Sequence, residues 1–393
     1  MASGDIGVFR IEEMTATGCG MARAGDRRVF AEYTAPGDLA RLRVLSEQKN
    51  YSIAELTEVV EPSPQRTDPL CPYYRKCGGC NFQHLNYDAQ LLSKENILRE
   101  SFKRIGKTTV PEIRVFPSRP WEYRNRVQFH CLPENRKKPG FMVKNGNEII
   151  PIDDCPVADP GIRAALKGAR HLFYPPPQKD RYNVYLKDGI FLSEGTKSRG
   201  KITINNRELT IDAGVFFQSN SGMLELLVND LVNIAKDCDH SLPLGDIYCG
   251  VGTFSSFLGE FFNGAGLVEE NRAAIALAKE NLLNSATSAS MEKEYRFYGQ
   301  SADDWIRQSK PFRKNWGLLV VDPPRTGLTA AMREGLAGSG VRIIAYVSCD
   351  PATVARDCGD LAAAGYVLKE LNLYDFYPQT AHIESLAVFQ KET

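Results

Sequence analysis

From about residue 206 onward, short apolar runs alternate with helix-length stretches, and this alternation confines the C-terminal half to a parallel, doubly wound α/β sheet. Leu244-Gly-Asp-Ile-Tyr248, Gly266-Leu-Val-Glu269, Trp316-Gly-Leu-Leu-Val-Val321 and Arg342–Val347 are the strand candidates. They are short and apolar at successive positions, as strands covered on both faces must be. In such a sheet, ligands and reacting groups gather at the carboxyl ends of the strands.

The residues at those ends carry chemistry. The first run leads into Cys249-Gly250-Val-Gly252-Thr253, whose glycines let the backbone approach a ligand closely. Glu269 closes the next run, some twenty residues after the glycines begin, where a carboxylate binds a ribose diol. A third glycine is missing, which favours S-adenosylmethionine over a dinucleotide. The third run stops at Asp322-Pro323-Pro324-Arg325, where two prolines turn the chain out of the sheet and hold the acid at its edge. The fourth stops at Ser348-Cys349-Asp350-Pro351. A free cysteine is more often a small hydrophobe than a nucleophile, but this one stands where reacting groups sit. A terminal strand is expected over Ala381–Phe389, with Glu384 near its start; alone, that residue reads as a solvated edge charge.

Ahead of the sheet, two further units are expected. Residues 1–62 contain short runs punctuated by Gly18, Gly20, Gly25 and Gly37, the pattern of a small β-barrel closed by Pro62-Ser-Pro64. Residues 63–205 open with Cys71-Pro-Tyr-Tyr-Arg-Lys-Cys77-Gly-Gly-Cys80, three metal-type ligands within ten positions. Iron–sulfur clusters and structural zinc both usually take four ligands. Cys155, followed by Pro156, is the better fourth, and Cys131, inside a strand-like run, the weaker; spacing alone does not separate the two metals. Tyr87–Ile105 is read as an amphipathic helix with Lys94, Arg99 and Lys103 between its apolar positions. Residues 71–150 carry 15 Lys and Arg against 7 Asp and Glu, although the whole chain has 48 of each. The basic residues interleave with aromatics at Trp121–Phe129 and Arg136–Phe141, a mixture that suits RNA as well as an ordinary solvated face. Tyr174-Pro-Pro-Pro-Gln marks a loop. The N-terminus shows no secretion signal and no run approaches membrane-spanning length, so a cytoplasmic protein with no membrane partner is expected.

Taken together, Cys71-x5-Cys77-Gly-Gly-Cys80 with Cys155, Phe217-Gln218-x-Asn220, Asp246-x-Tyr-Cys-Gly-x-Gly252, Asp322-Pro-Pro-Arg325, Ser348-Cys-Asp-Pro-Ala-Thr353 and His382-x-Glu384 resemble the RNA uracil-C5 methyltransferase family. The iron–sulfur, 23S ribosomal-RNA branch fits best, with transfer RNA as the alternative substrate. The N-terminal unit, with its Ala35-Pro-Gly-Asp turn, is similar to the TRAM module. This resemblance implies a class I methyltransferase sheet using S-adenosylmethionine, a [4Fe–4S] cluster on Cys71, Cys77, Cys80 and Cys155, and a monomer acting on RNA. It also implies that Cys349 is the nucleophile, that Glu384 is the base, and that Gln218, Tyr248, Glu269 and Asp322 line the cofactor site. Two positions depart from the pattern: Asp350 stands where many members have Asn, and Ser301 where relatives often hold Asn. An amino-group methyltransferase would carry an aromatic residue where Arg325 stands and would need no Cys349. A redox protein would need a partner or flavin site, and a non-catalytic RNA-binding scaffold would not need Cys349 and Glu384.

Overall fold

The structure is a computed structural model that describes residues 3–132, 135–136, 138–168, 179–285, 293–308 and 316–392. Lys137 of the basic run and the whole Tyr174–Gln178 loop lie outside the described residues.

An eight-stranded sheet dominates the C-terminal half. Its spatial order is Glu294–Tyr298, Gly264–Val268, Leu244–Ile247, Leu318–Val321, Ile343–Ser348, Glu384–Lys391, Tyr366–Tyr374 and Ile113–Phe116. The first five run parallel. Glu384–Lys391 is antiparallel to both of its neighbours, so its start lies at the same edge as the ends of the parallel strands. Successive residues of one strand enter different cores. Leu318 and Val320 pack on one side with Leu224, Leu227 and Leu258. Leu319 and Val321 pack on the other with Met332, Leu336 and Val354. Burial on both faces accounts for the unbroken apolar runs, and the doubly wound α/β architecture expected from them is what the chain adopts.

The N-terminal strands Ile6–Met14, Cys19–Ala24, Arg27–Glu32, Leu39–Glu47 and Tyr51–Glu61 close into a barrel. Its arginines pair across strands, Arg41 with Glu58 at 2.8 Å and Arg23 with Glu12 at 3.1 Å. Exposed pairs of this kind contribute little stability, but they do neutralise the barrel wall. The buried Asp38 fixes the exit from the barrel: its carboxylate accepts from the Ala35 and Ser63 backbone N–H groups and from Arg66 Nε at 2.8 Å. An antiparallel sheet follows, in the order Ile190–Ser193, Arg181–Lys187, Arg126–Cys131, Pro139–Met142 and Ile149–Pro151.

Two local expectations change. The helix expected over Tyr87–Ile105 is α-helical over Tyr87–Ser101 and then widens into a π-turn at Phe102–Gly106. Its buried face is partly polar: Gln90, Ser93 and Lys94 are buried, whereas Leu92 is exposed. Polar partners on a loop near the C-terminus account for the inversion. Lys94 Nζ contacts Asp375 Oδ1 at 2.5 Å with both side chains fully buried, and Gln90 Nε2 donates to Gln379 Oε1 at 3.0 Å.

Candidate active site

Four site residues are each the first residue past a strand: Tyr248 after Ile247, Glu269 after Val268, Asp322 after Val321 and Cys349 after Ser348. Glu384 opens the antiparallel strand at the same edge. With Gln218 they line one cavity of about 590 Å³.

The glycine loop forms one wall. Gly252 begins the helix Thr253–Leu258 in a left-handed conformation (φ 73°), and a Cβ there would lie 2.9 Å from the Ala278 Cα. Larger residues are excluded on both counts. Asn281 braces the loop by donating from Nδ2 to the Val251 carbonyl at 2.9 Å. Glu269 Oε2 accepts from the Gly250 N–H at 3.1 Å, and Oε1 accepts from the Asn271 N–H at 2.8 Å. Among the described residues, Gln218 Oε1 is buried without a hydrogen-bond partner. Below the loop, Asp246 is fully buried and accepts from the Ser255 N–H at 3.2 Å, and burial pushes its carboxyl up to about 6. Two carboxylates and an orphaned carbonyl oxygen form an acceptor-rich lining that suits a ligand with a cationic centre, an amine and a diol. The set therefore fits S-adenosylmethionine, which Glu269, Asp322 and Gln218 could hold.

On the other wall, charges of one sign crowd together. Burial first, then Asp246 and Glu269, push the Asp322 carboxyl up to about 7. Burial and Asp322 hold the Glu384 carboxyl well above the ordinary range, against the pull of Arg325. Burial, Glu384 and Asp322 push the Cys349 thiol up to about 12, again against Arg325. Arg325 is thus the group that favours the charged forms of both Cys349 and Glu384. The sequence offered it only as the residue after two prolines. Its Nη2 lies 3.5 Å from the ring nitrogens of His382, whose pKa burial and Arg325 lower to about 4, so the ring is neutral near pH 7. Tyr377 also lines the cavity, and nothing in its sequence context marks it. The departure at Asp350 has a local explanation: its Oδ1 accepts from the Ala352 and Thr353 N–H groups, both at 2.9 Å, and so caps the helix Pro351–Ala363. The cap directs this carboxylate at the helix N-terminus. Ser301, too, lines the cavity, with its hydroxyl donating to Asp304 at 2.8 Å.

Cys71, Cys77, Cys80 and Cys155 line a second, separate cavity of about 260 Å³. Burial first, with neighbouring thiols adding to it, raises the Cys80 thiol to about 12 and the Cys155 thiol to about 11. Among the described residues, no three His, Cys, Asp or Glu side chains stand close enough to hold a single metal ion. Four thiols are a donor set that both structural zinc and iron–sulfur clusters take. Cys131 lies elsewhere, buried in the core of the antiparallel sheet, with its Sγ 3.5 Å from the Lys179 carbonyl oxygen. Among the described residues, no helix is long and apolar enough to cross a membrane.

Comparison with known proteins fits this geometry. Residues 194–392 match the tRNA (uracil-5-)-methyltransferase family model, and residues 9–65 match the TRAM domain of tRNA (uracil(54)-C(5))-methyltransferase. An uncharacterized RNA methyltransferase of Treponema denticola is 32% identical over 93% of this chain and 94% of its own length. The 23S rRNA (uracil(1939)-C(5))-methyltransferase RlmD of Shewanella piezotolerans is 26% identical over 97% of this chain and 95% of its own. The Pyrococcus abyssi tRNA (uracil-54, C5)-methyltransferase, solved with S-adenosyl-L-homocysteine, shares the fold with a TM-score of 0.72 at 23% identity, over 98% of this chain and all of that one. With a family model spanning half its length and a full-length relative at this identity, the chain belongs to the tRNA (uracil-5-)-methyltransferase family and is an S-adenosylmethionine-dependent RNA uracil-C5 methyltransferase.

Proposed function

We propose that this enzyme forms 5-methyluridine in 23S ribosomal RNA through a covalent bond between Cys349 and C6 of the target uracil. The observation that carries the covalent reading is the meeting of Cys349 and Glu384 at facing strand ends on the cavity that Asp322 and Glu269 also line. Uracil C5 is too weak a nucleophile to take a methyl group unaided. The Cys349 thiolate adds to C6, and the C5=C6 electrons move toward the C4 carbonyl oxygen, which leaves C5 nucleophilic. S-adenosylmethionine, when bound, would supply its sulfonium methyl to C5, the S–CH3 electron pair staying on sulfur so that neutral S-adenosylhomocysteine leaves. Glu384 then takes the C5 proton. The C–H electron pair re-forms C5=C6, and the C6–S pair returns to Cys349.

The electrostatics suit each role. Burial and Asp322 raise the proton affinity of the Glu384 carboxyl, and Arg325 opposes them by favouring the ionised form that a base needs. Arg325 offsets the charge that appears on Cys349 when its proton leaves. The target base must leave its stack to reach Cys349, so an unpaired or remodelled RNA segment is the expected substrate. The proposed division of labour gives RNA contacts to residues 1–62 and 63–205 and the chemistry to residues 206–393, in a cytoplasmic monomer. In the second unit, Cys71, Cys77, Cys80 and Cys155 would hold a structural [4Fe–4S] cluster, a reading supported by their shared cavity.

Ribosomal RNA is favoured by full-length relatives named for 23S rRNA. Transfer RNA is the second reading, favoured by family and TRAM models both named for tRNA enzymes. Sequencing ribosomal and transfer RNA from a strain lacking the gene decides between them. Loss of one 5-methyluridine from 23S rRNA, with tRNA unchanged, is expected; loss from tRNA alone would overturn the ribosomal assignment.

A further inference from the structure

The segment Asp375–Ile383, which delivers Glu384 to the cavity, has no helix or strand of its own. Side chains and backbone from remote parts of the chain hold it instead. Tyr123 donates its hydroxyl to the Pro378 carbonyl at 2.9 Å, and the Gln379 N–H donates to Gln90 Oε1 at 2.8 Å. The closest set of holds to Glu384 comes from the cysteine loop. Asn81 and Phe82, the two residues after Cys80, both donate their backbone N–H to the Gln379 carbonyl, at 3.1 and 2.9 Å. Asn81 Oδ1 then accepts from the Ala381 N–H at 2.9 Å, three residues before Glu384.

Asn81 is confined from a third side. Gly18, in the barrel turn between Ile6–Met14 and Cys19–Ala24, has φ 84°, and a Cβ there would stand 2.0 Å from Asn81 Nδ2 and 3.5 Å from the Ala381 Cβ. Barrel turn, cysteine loop and pre-Glu384 segment therefore meet at one point, with the Asn81 side chain between them. Gln379 itself is left-handed (φ 68°) and buried, a backbone state that costs a non-glycine residue free energy and persists only where the surroundings enforce it. The enforcing contacts on its carbonyl come from Asn81 and Phe82, the two residues that follow Cys80.

We propose that Asn81 is a positioning residue that makes the placement of Glu384 depend on what fills the four-cysteine cavity. A ligand that fixes Cys80 fixes the direction in which Asn81 and Phe82 leave it, and with them the Gln379 carbonyl, the Ala381 N–H and the start of the Glu384 strand. A cluster held by Cys71, Cys77, Cys80 and Cys155 would then serve catalysis as a mechanical support. This inference rests on the reading of Glu384 as the base that releases the product.

The test is the step at which Asn81→Ala slows. With RNA and S-adenosylmethionine, the variant should still form the methylated Cys349 adduct but release it about 10–100-fold more slowly than wild type, the scale of a small misplacement of a catalytic group. Its iron and sulfide content should match wild type, because Asn81 is not a ligand. Asn81→Asp keeps an oxygen for the Ala381 N–H and should restore release. A second measurement needs no variant: in wild-type protein, amide exchange at Ala381 should quicken when the metal is removed anaerobically, and it decides the question if Asn81→Ala does not fold. Equal Ala381 protection with and without metal, or wild-type release by Asn81→Ala, would overturn the proposal. If Glu384→Gln accumulates no adduct, the reading of Glu384 is what fails; if it does and Asn81→Ala behaves as wild type, only the positioning role fails.

Discussion

Cys349 and Glu384 stand opposite each other at the open end of one antiparallel strand pair. Ser348 is in register with Ser385, and one step further along the same register brings Cys349 across from Glu384. The nucleophile and the proposed base thus come from residues 35 positions apart in sequence, set face to face by backbone pairing between Ile343–Ser348 and Glu384–Lys391.

The raised Asp322 carboxyl, near 7, gives cofactor binding a pH dependence. An ionised carboxylate attracts a sulfonium and a protonated one does not. S-adenosylmethionine should therefore bind more tightly at pH 8 than at pH 6, while the uncharged thioether of S-adenosylhomocysteine gains much less. Titration calorimetry with both ligands tests this, and identical pH profiles would contradict it. Stability of the ligand-free protein runs the other way. The folded pKa lies above the ordinary 3.8, so the folded state holds more protons between about 4 and 7, and stability falls as pH rises through that window. Asp322→Asn should flatten that slope.

Glu269 braces the glycine loop and would also receive the ribose. Glu269→Ala removes the acceptor for both the Gly250 and Asn271 N–H groups. Losing a charged hydrogen-bond partner costs about 1.5–3 kcal/mol, so S-adenosylmethionine affinity should fall roughly 10–100-fold. Unchanged affinity by calorimetry would mean that the ribose is held elsewhere.

For the cysteine cavity, anaerobically purified protein should be brown, with iron and sulfide each near about four per chain. Cys155→Ser should lose most of both, and Cys131→Ser should lose neither, because Cys155 lines the cavity with the other three cysteines and Cys131 does not. Stoichiometric zinc without sulfide would contradict the cluster.

Lys94 and Asp375 form a fully buried ion pair, with the Tyr87 hydroxyl donating to the second Asp375 oxygen at 2.9 Å. Lys94→Met strands the carboxylate and should destabilise the protein by about 3–5 kcal/mol. Adding Asp375→Asn should recover much of that loss. A urea midpoint that barely moves in Lys94→Met would show that the pair is not needed.

The legible part of the site is the part set by local rules. Glu269 closes an apolar run, Asp322 follows one and Cys349 stands just past another, and such runs are recognisable because strands covered on both faces need apolar residues at every position; Tyr248 and Gln218 are singled out only by the family resemblance. Glu384 follows no such rule. Its meaning comes from pairing with a distant strand, and only the family resemblance singled it out. Lys94 looks like a solvent-facing residue of a helix because nothing nearby reveals Asp375, its partner 281 positions away. Ile113–Phe116 is invisible for the same reason: its four residues join the sheet through Tyr366–Tyr374. Asp350 could have been read locally, since an acid before Pro351 at the start of a helix is a capping signal.

The central claim is that Cys349 opens the catalytic cycle and Glu384 closes it. The most direct measurement is a denaturing gel of enzyme incubated with substrate RNA and S-adenosylmethionine. Cys349→Ala should give no shifted band and no methyl transfer. Glu384→Gln keeps the shape of the side chain but cannot take the C5 proton, so it should accumulate methylated RNA bound to Cys349, as wild type should with 5-fluorouridine RNA. Normal turnover by Glu384→Gln with no trapped species would contradict the account, because another residue would then be the base.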